Sequence, residues 1–246
     1  MYFLDFYSFL GGERVEKTEN QITTYMERSL HASLKARFCP DEECHEVKIG
    51  KFVADACADG VIYEIQTGNF SPLAKKIRFY LENTDFKVVV VRPIARDRRI
   101  FWLGEGGEIA ANARKSSKHE NIFHGVADLW YLRELFGEER LSFAFILMEI
   151  DEIRLLDGYG KNKKKRATSV DRLAGEIFSE IYVQNTADVR ALVKDKLPEG
   201  EFYREELSSS LGLKGLKLWS AQKLLLELGI LSCKKDGKRL IFRLEE

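Results

Sequence analysis

The segment KFVADACADGVIYEIQ, residues 51–66, sets two carboxylates and an amide at a spacing that can do chemistry. Two β-rich runs flank Asp59-Gly60, a dipeptide suited to a two-residue type I′ turn. Pairing outward from that turn sets Asp55 directly opposite Glu64. Strand alternation puts Gln66 on the same face. Facing Cβ atoms on such a pair stand about 4.5–5.5 Å apart, so the two carboxylates repel unless a cation lies between them. Oxygen ligands at this spacing suit Mg²⁺ or Mn²⁺. The other face, with Phe52, Ala54, Ala56, Val61, Tyr63 and Ile65, reads as core.

Several elements must hold this hairpin in place. Ile22, Met26, Leu30 and Leu34 recur at helical spacing across residues 21–37, with Glu27, His31 and Lys35 on a different stripe. CPDEECHEVK has no periodicity and reads as a loop entering a strand. Ser71-Pro72 opens a helix that runs to about Asn83 and carries Lys75 and Lys76. KVVVVRPI (87–94) is a continuous apolar run, the pattern of a strand buried on both faces, and RRIFWL (98–103) reads as a neighbouring strand. ARKSSKHEN reads as a loop. VADLWYLRELFG (126–137) is helical, SFAFILMEI (142–150) is a strand, and a helix is expected from about Val170. The order predicts an α/β domain with a mixed sheet flanked by helices.

Taken together, a helix with a Glu, an Asp on a strand, Glu-x-Gln on its partner and a lysine-bearing helix resemble the PD-(D/E)xK, or restriction endonuclease-like, nuclease superfamily. The E-x-Q variant is the nearer likeness. The resemblance covers roughly residues 20–103. It implies that Asp55 and Glu64 are the metal ligands, that Glu27 acts from the helix, and that Gln66 holds the position usually given to Lys. Gln66 cannot bring the positive charge of a Lys, so Lys75 or Lys76 is expected to supply it. Ala54 stands where the motif has Pro. The implied activity is Mg²⁺- or Mn²⁺-dependent phosphodiester hydrolysis, in which the metal lowers the pKa of a bound water.

Residues 186–246 predict a winged helix-turn-helix: a helix over TADVRALVKDKL, a second ending at a glycine turn, a third over KGLKLWSAQKLLLELG, and a hairpin turning at Asp236-Gly237. Between 213 and 243 there are eight basic residues (Lys214, Lys217, Lys223, Lys234, Lys235, Lys238, Arg239 and Arg243) against Glu227 and Asp236. That local charge suits contacts to DNA phosphates, as does KNKKKR, which contains Lys163, Lys164, Lys165 and Arg166. The expected division is a catalytic domain over 1–160, a basic linker and helix over 161–185, and the winged helix over 186–246.

Composition sets the outer bounds. The chain has 246 residues and 39 Lys+Arg against 39 Asp+Glu, so nucleic-acid binding must come from segregated rather than net charge. No apolar run reaches membrane-spanning length, and the opening MYFLDFYSFL lacks the basic flank of a signal peptide. Four scattered cysteines suit a reducing cytoplasm, and Cys39-x4-Cys44-His45 lacks the second pair that a structural zinc site uses. No P-loop, G-x-G-x-x-G or nucleophile elbow occurs. The expectation is a cytoplasmic DNA endonuclease without membrane partners. Its oligomeric state, a homodimer included, is left open. The alternative is a non-catalytic DNA-binding protein on a degenerate nuclease fold, and RNA is not excluded as substrate.

Overall fold

The hairpin forms with the expected register. In the computed structural model, which describes residues 28–104, 109–156 and 167–245, β2 (Phe52–Ala58) and β3 (Val61–Ile65) pair as Ala58↔Val61, Cys57↔Ile62 and Ala56↔Tyr63. Asp59 and Gly60 both adopt positive φ, 50° and 74°, as a type I′ turn requires. The expectations placed on Glu27, Lys163, Lys164, Lys165, Arg166 and the N-terminal stretch lie outside the described residues.

Helix α1 (Arg28–Phe38) precedes β1 (His45–Ile49), which pairs antiparallel with β2. Helix α2 (Leu73–Asn83) crosses over from β3 to β4 (Lys87–Leu103), and β3 and β4 run parallel. The strand expected over 98–103 is no separate neighbour: it is the second half of β4. Its arginines hide the continuity from a hydropathy reading. They are tolerated in the strand because β6 (Leu141–Leu155) lies alongside and answers them, with Asp151 holding Arg99 through two hydrogen bonds of 2.7 Å. Part of the expected loop ARKSSKHEN also belongs to a strand, β5 (Ile109–Lys115), antiparallel to β4.

The helix expected from about Val170 is instead β7 (Thr168–Val183), antiparallel to β6. Three irregularities in the β6–β7 register shift the pairing along its length. Each bulge breaks the two-residue alternation, so the apolar positions Val170, Leu173, Ile177 and Ile181 fall at spacings that imitate a helix. The sheet therefore continues to residue 183, through most of the segment expected to be a linker.

The strand order is β1-β2-β3-β4-β6-β7, with β5 also on β4. β6 accompanies β4 from Val88 to Leu103, so β3 and β5 share the other edge. β3 takes Lys87–Val91 and β5 takes Arg99–Leu103; between them β4 has no strand partner on that side. Pro93, which has no N–H to pair, sits in this gap.

Both faces of the sheet are covered. Leu30 and Leu34 of α1 pack on Ile65, Val91, Ile146 and Met148. On the opposite face Ile77 and Tyr80 of α2, with Phe123 and Val126 of α3 (Ile122–Asp128), pack on Ile62, Val88, Val90 and Phe143. The residues expected to form one core face on β2 and β3 are instead split between the two covered faces. Ala54 joins the α2 side with Ile62, while Tyr63 and Ile65 face α1.

After β7 come α4 (Thr186–Lys194), the short β8 (Glu201–Tyr203), α5 (Arg204–Leu211), α6 (Gly215–Glu227) and the hairpin β9 (Leu231–Asp236) and β10 (Arg239–Leu244). The three strands form a second sheet in the order β8-β10-β9. Because Asp236 pairs with Arg239, the hairpin turns one residue later than expected, on Gly237-Lys238. Gly237, with φ of 59°, takes the first central position that a Gly-X turn reserves for glycine. The core is shared: Val189, Leu207, Leu218, Leu225 and Phe242 belong to the same buried cluster as Ile77 and Phe143. Among the described residues no helix is long and apolar enough to cross a membrane.

Candidate functional site

At the carboxyl end of β3 the backbone ladder with β2 stops at Ala56↔Tyr63, and a side chain takes over. Asp55 Oδ2 accepts the Ile65 amide at 2.7 Å. The same oxygen lies 3.2 Å from His31 Nε2 on α1. Burial works against the Asp55 charge, but His31, the Ile65 amide and Lys76 outweigh it and hold the carboxyl below its ordinary range.

Glu64, one step past the last paired residue Tyr63, has the reverse fate. Its side chain is buried at 3% exposure against α2. Lys76 Nζ donates to Oε2 at 2.6 Å and the Tyr80 hydroxyl donates to Oε1 at 3.2 Å. Burial, and then repulsion from Asp55, raise its pKa to about 7 despite these donors. Burial and the adjoining Glu64 push the Tyr80 hydroxyl upward as well, so it remains a donor. Two neighbouring carboxylates thus have their titrations driven apart, an arrangement typical of functional sites.

The structure divides the candidate residues. Asp55 and Glu64 converge. Of the two lysines it is Lys76 that reaches Glu64, whereas Lys75 points to solvent. They are consecutive residues, and only the direction in which α2 packs could choose. Gln66 lies at the rim, its amide donating to Val91 O at 2.8 Å and its side-chain Nε2 to Asn69 O at 2.5 Å. His31 was not assigned a role here from sequence. Its signal was the stripe it shares with Glu27, one helical turn away.

Among the described residues no group of three or more His, Cys, Asp and Glu side chains is placed to hold a metal ion. The pair Asp55 and Glu64 nevertheless fits a hard divalent cation: both donors are carboxylate oxygens, and their mutual repulsion is what a cation removes. Mg²⁺ commonly uses one or two protein carboxylates and completes its shell with water and phosphate. Two of the thiols lie elsewhere: Cys39 is buried at the end of α1, its carbonyl 2.7 Å from His45 Nε2, and Cys44 Sγ donates to Asp41 Oδ2 at 3.8 Å.

The expected DNA-binding side chains have mixed surroundings. Lys214, Lys235 and Lys238 are exposed. Lys234 pairs with Glu201, while Arg239 pairs with Glu205 at 2.8 Å and lies 3.9 Å over the Tyr203 ring. Lys217 is turned inward onto Asp128, whose other oxygen accepts Arg92 Nε at 3.1 Å. Helix α6 is committed to packing on that side, with Trp219 edge-on to Trp130 at 5.6 Å.

Residues 28–184 match the family described as "Domain of unknown function (DUF8091)". The chain belongs to that family. It is also 30% identical over 179 residues to a protein of Treponema pallidum (strain Nichols) named "Uncharacterized protein", an alignment covering 72% of this chain and 70% of the relative. No solved structure matches the chain.

Proposed function

We propose that this protein is a divalent-metal-dependent nuclease that hydrolyses phosphodiester bonds in DNA. The observation that carries the reading is the convergence of Asp55, Glu64 and Lys76 at the fork between β2 and β3. The order α1, β1–β3, α2, β4 is the one a restriction endonuclease-like core uses, and Lys76 supplies from α2 the cation that Gln66 lacks. The order α4, β8, α5, α6, β9–β10, with a basic hairpin tip, supports a winged helix holding the substrate.

Each side chain then has a task. Bound Mg²⁺ or Mn²⁺ supplies a more acidic water and offsets charge on the phosphate. Asp55, kept ionised by His31 and the Ile65 amide, and Glu64 are the residues to hold it. When Glu64 turns its charge to a metal, the Lys76 ammonium beside it is available to the phosphate oxygens. Gln66 at the rim orients water or phosphate through its amide.

The test is a cleavage assay on duplex DNA, single-stranded DNA and RNA with Mg²⁺ or Mn²⁺. Asp55→Asn and Glu64→Gln serve as controls. Cleavage in EDTA, or by either variant, overturns the reading. A second reading, a DNA-binding protein on a degenerate nuclease fold, draws on the engagement of both Glu64 oxygens by Lys76 and Tyr80. It requires DNA binding without cleavage and no metal-induced rise in melting temperature.

A further inference from the structure

Beside this site lies a cleft that the carboxylate chemistry does not use. It occupies the gap in the β4 edge between β3 and β5, has a volume of about 210 Å³, and is lined by Thr67, Arg92, Pro93, Arg98, Glu120 and Arg172, among others. Its lining carries three guanidinium groups and one carboxylate, with Asp128 and Glu152 behind Arg92 and Arg98. It begins at the residue after Gln66. Leu30, which also lines it, directly precedes the His31 that touches Asp55.

The hydrogen bonding of the two central arginines differs. Arg92 is anchored: Nε donates to Asp128, and Nη1 donates to Pro93 O at 2.7 Å and Thr67 O at 3.4 Å. Its Nη2 lies 3.7 Å from Glu120 Oε2. Arg98 has carboxylates near but not bonded, with Nη2 3.7 Å from Glu120 Oε1 and Nη1 3.6 Å from Glu152 Oε2. Its Nε is buried with no hydrogen-bond partner. Contacts of 3.6 Å are ion pairs rather than hydrogen bonds. Arg98 therefore holds in a walled cleft a guanidinium whose donors meet two carboxylates at ion-pair distance and make no hydrogen bond. Glu120 stands between the two arginines as a resident counter-charge.

We infer that this cleft binds a phosphoryl group, with Arg98 as its principal donor and Arg92 as a second. A tetrahedral anion brings acceptor oxygens in the directions a guanidinium fork presents. The volume lies below the ~300–1,000 Å³ of sites that enclose whole small molecules, which suits a single phosphate and excludes a buried nucleoside. Assigning the phosphate to the substrate strand, a nucleotide or so from the scissile bond, rests on the nuclease reading. The phosphoryl site itself does not.

Binding is measured in EDTA, so that no cleavage occurs. Calorimetry uses inorganic phosphate as probe, and fluorescence anisotropy compares single-stranded oligonucleotides with a 5′-phosphate or a 5′-hydroxyl. Arg98→Gln should weaken phosphate binding about tenfold or more, the worth of a charged hydrogen bond. Glu120→Gln should strengthen it several-fold, a gain that misfolding cannot mimic. A 5′-phosphate preference lost in Arg98→Gln identifies a strand terminus as the source. Equal binding of both oligonucleotides, weakened alike by Arg98→Gln, identifies an internal phosphodiester. Phosphate affinity unchanged in both variants overturns the inference. Phosphate binding in a chain that cleaves no nucleic acid would retain this site and discard the nuclease reading.

Discussion

Glu64 and Asp55 face each other yet titrate in opposite directions, and that asymmetry gives a signed prediction. The folded protein holds the Glu64 proton up to about pH 7, whereas an unfolded chain releases it near the ordinary carboxylate value. Between those two limits the native state binds more protons, so stability should fall as pH rises, by on the order of 3 kcal/mol at most. Asp55 contributes the reverse slope, but its lowered pKa places that loss at more acid pH, below the ordinary carboxylate value. Melting temperatures in EDTA should therefore decline from about pH 5 to pH 7.5, and Glu64→Gln should abolish the decline. Saturating Mn²⁺ should do the same in the wild type alone. A flat profile in the wild type would remove the case for a proton on Glu64. The two lysines supply a second test. Lys76→Met should lower kcat about a hundredfold or more, because it removes the charge beside the reacting phosphate, and Lys75→Met should leave it within about twofold. Equal losses would show that neither lysine acts through Glu64. Sequence spacing alone could bring Asp55 and Glu64 together, because a two-residue turn fixes the register. It could not separate Lys75 from Lys76, since that depends on how α2 is rotated against the sheet.

At the scale of elements, local chemistry was legible and long-range pairing was not. The β2–β3 hairpin, the Pro-initiated α2 and the apolar start of β4 all follow from dipeptides and runs of a few residues. β7 was misread because bulges against β6 displace its apolar residues from strict alternation, and a single chain does not display its partner's register. The extension of β4 through Arg96–Arg99 was hidden for the same reason: the carboxylates that pair with Arg99 lie on another strand, far along the chain. The α5–α6 turn tests how an element end is fixed. Gly212 has φ of 63°, and a Cβ there would stand 2.9 Å from Asn121 Nδ2. That amide donates to Leu211 O, while Asn121 Oδ1 caps α3. Gly212→Ala should thus cost about 1–2 kcal/mol, through left-handed strain and a displaced Asn121. Urea unfolding of Gly212→Ala and Asn121→Ala, singly and together, measures it. Fully additive losses would mean the two residues do not act through one contact.

On the scale of the whole molecule, a neutral chain carries exposed lysines near the β9–β10 turn and a buried carboxylate, Asp128, at the seam between its two sheets. The C-terminal helices are not a tethered module, because their apolar side chains complete the core beneath α2 and α3. Asp128, 3% exposed, is held from one side by Arg92 and from the other by Lys217. Removing the chain after residue 185 would strip cover from Val126 and Leu129 and leave Asp128 with one cation. The truncated protein should therefore lose several kcal/mol, not merely its grip on DNA. The full chain should melt in a single transition, with near-ultraviolet circular dichroism and calorimetry coinciding. Asp128→Asn strands the buried Arg92 and removes the partner of the half-exposed Lys217, and should destabilise by about 3–5 kcal/mol, whereas Lys217→Met leaves Arg92 in place and should cost less. DNA affinity is expected to follow different residues. Lys235 and Lys238, exposed near the β9–β10 turn, should carry the salt dependence, and their joint replacement by Gln should reduce the slope of log K against log salt by up to about 2 for duplex DNA. Lys217→Met should leave that slope unchanged, because its charge already faces Asp128. Fluorescence anisotropy across a salt series decides the matter: a slope that falls with Lys217 and not with Lys235 and Lys238 would put DNA on α6 and require the two sheets to part on binding.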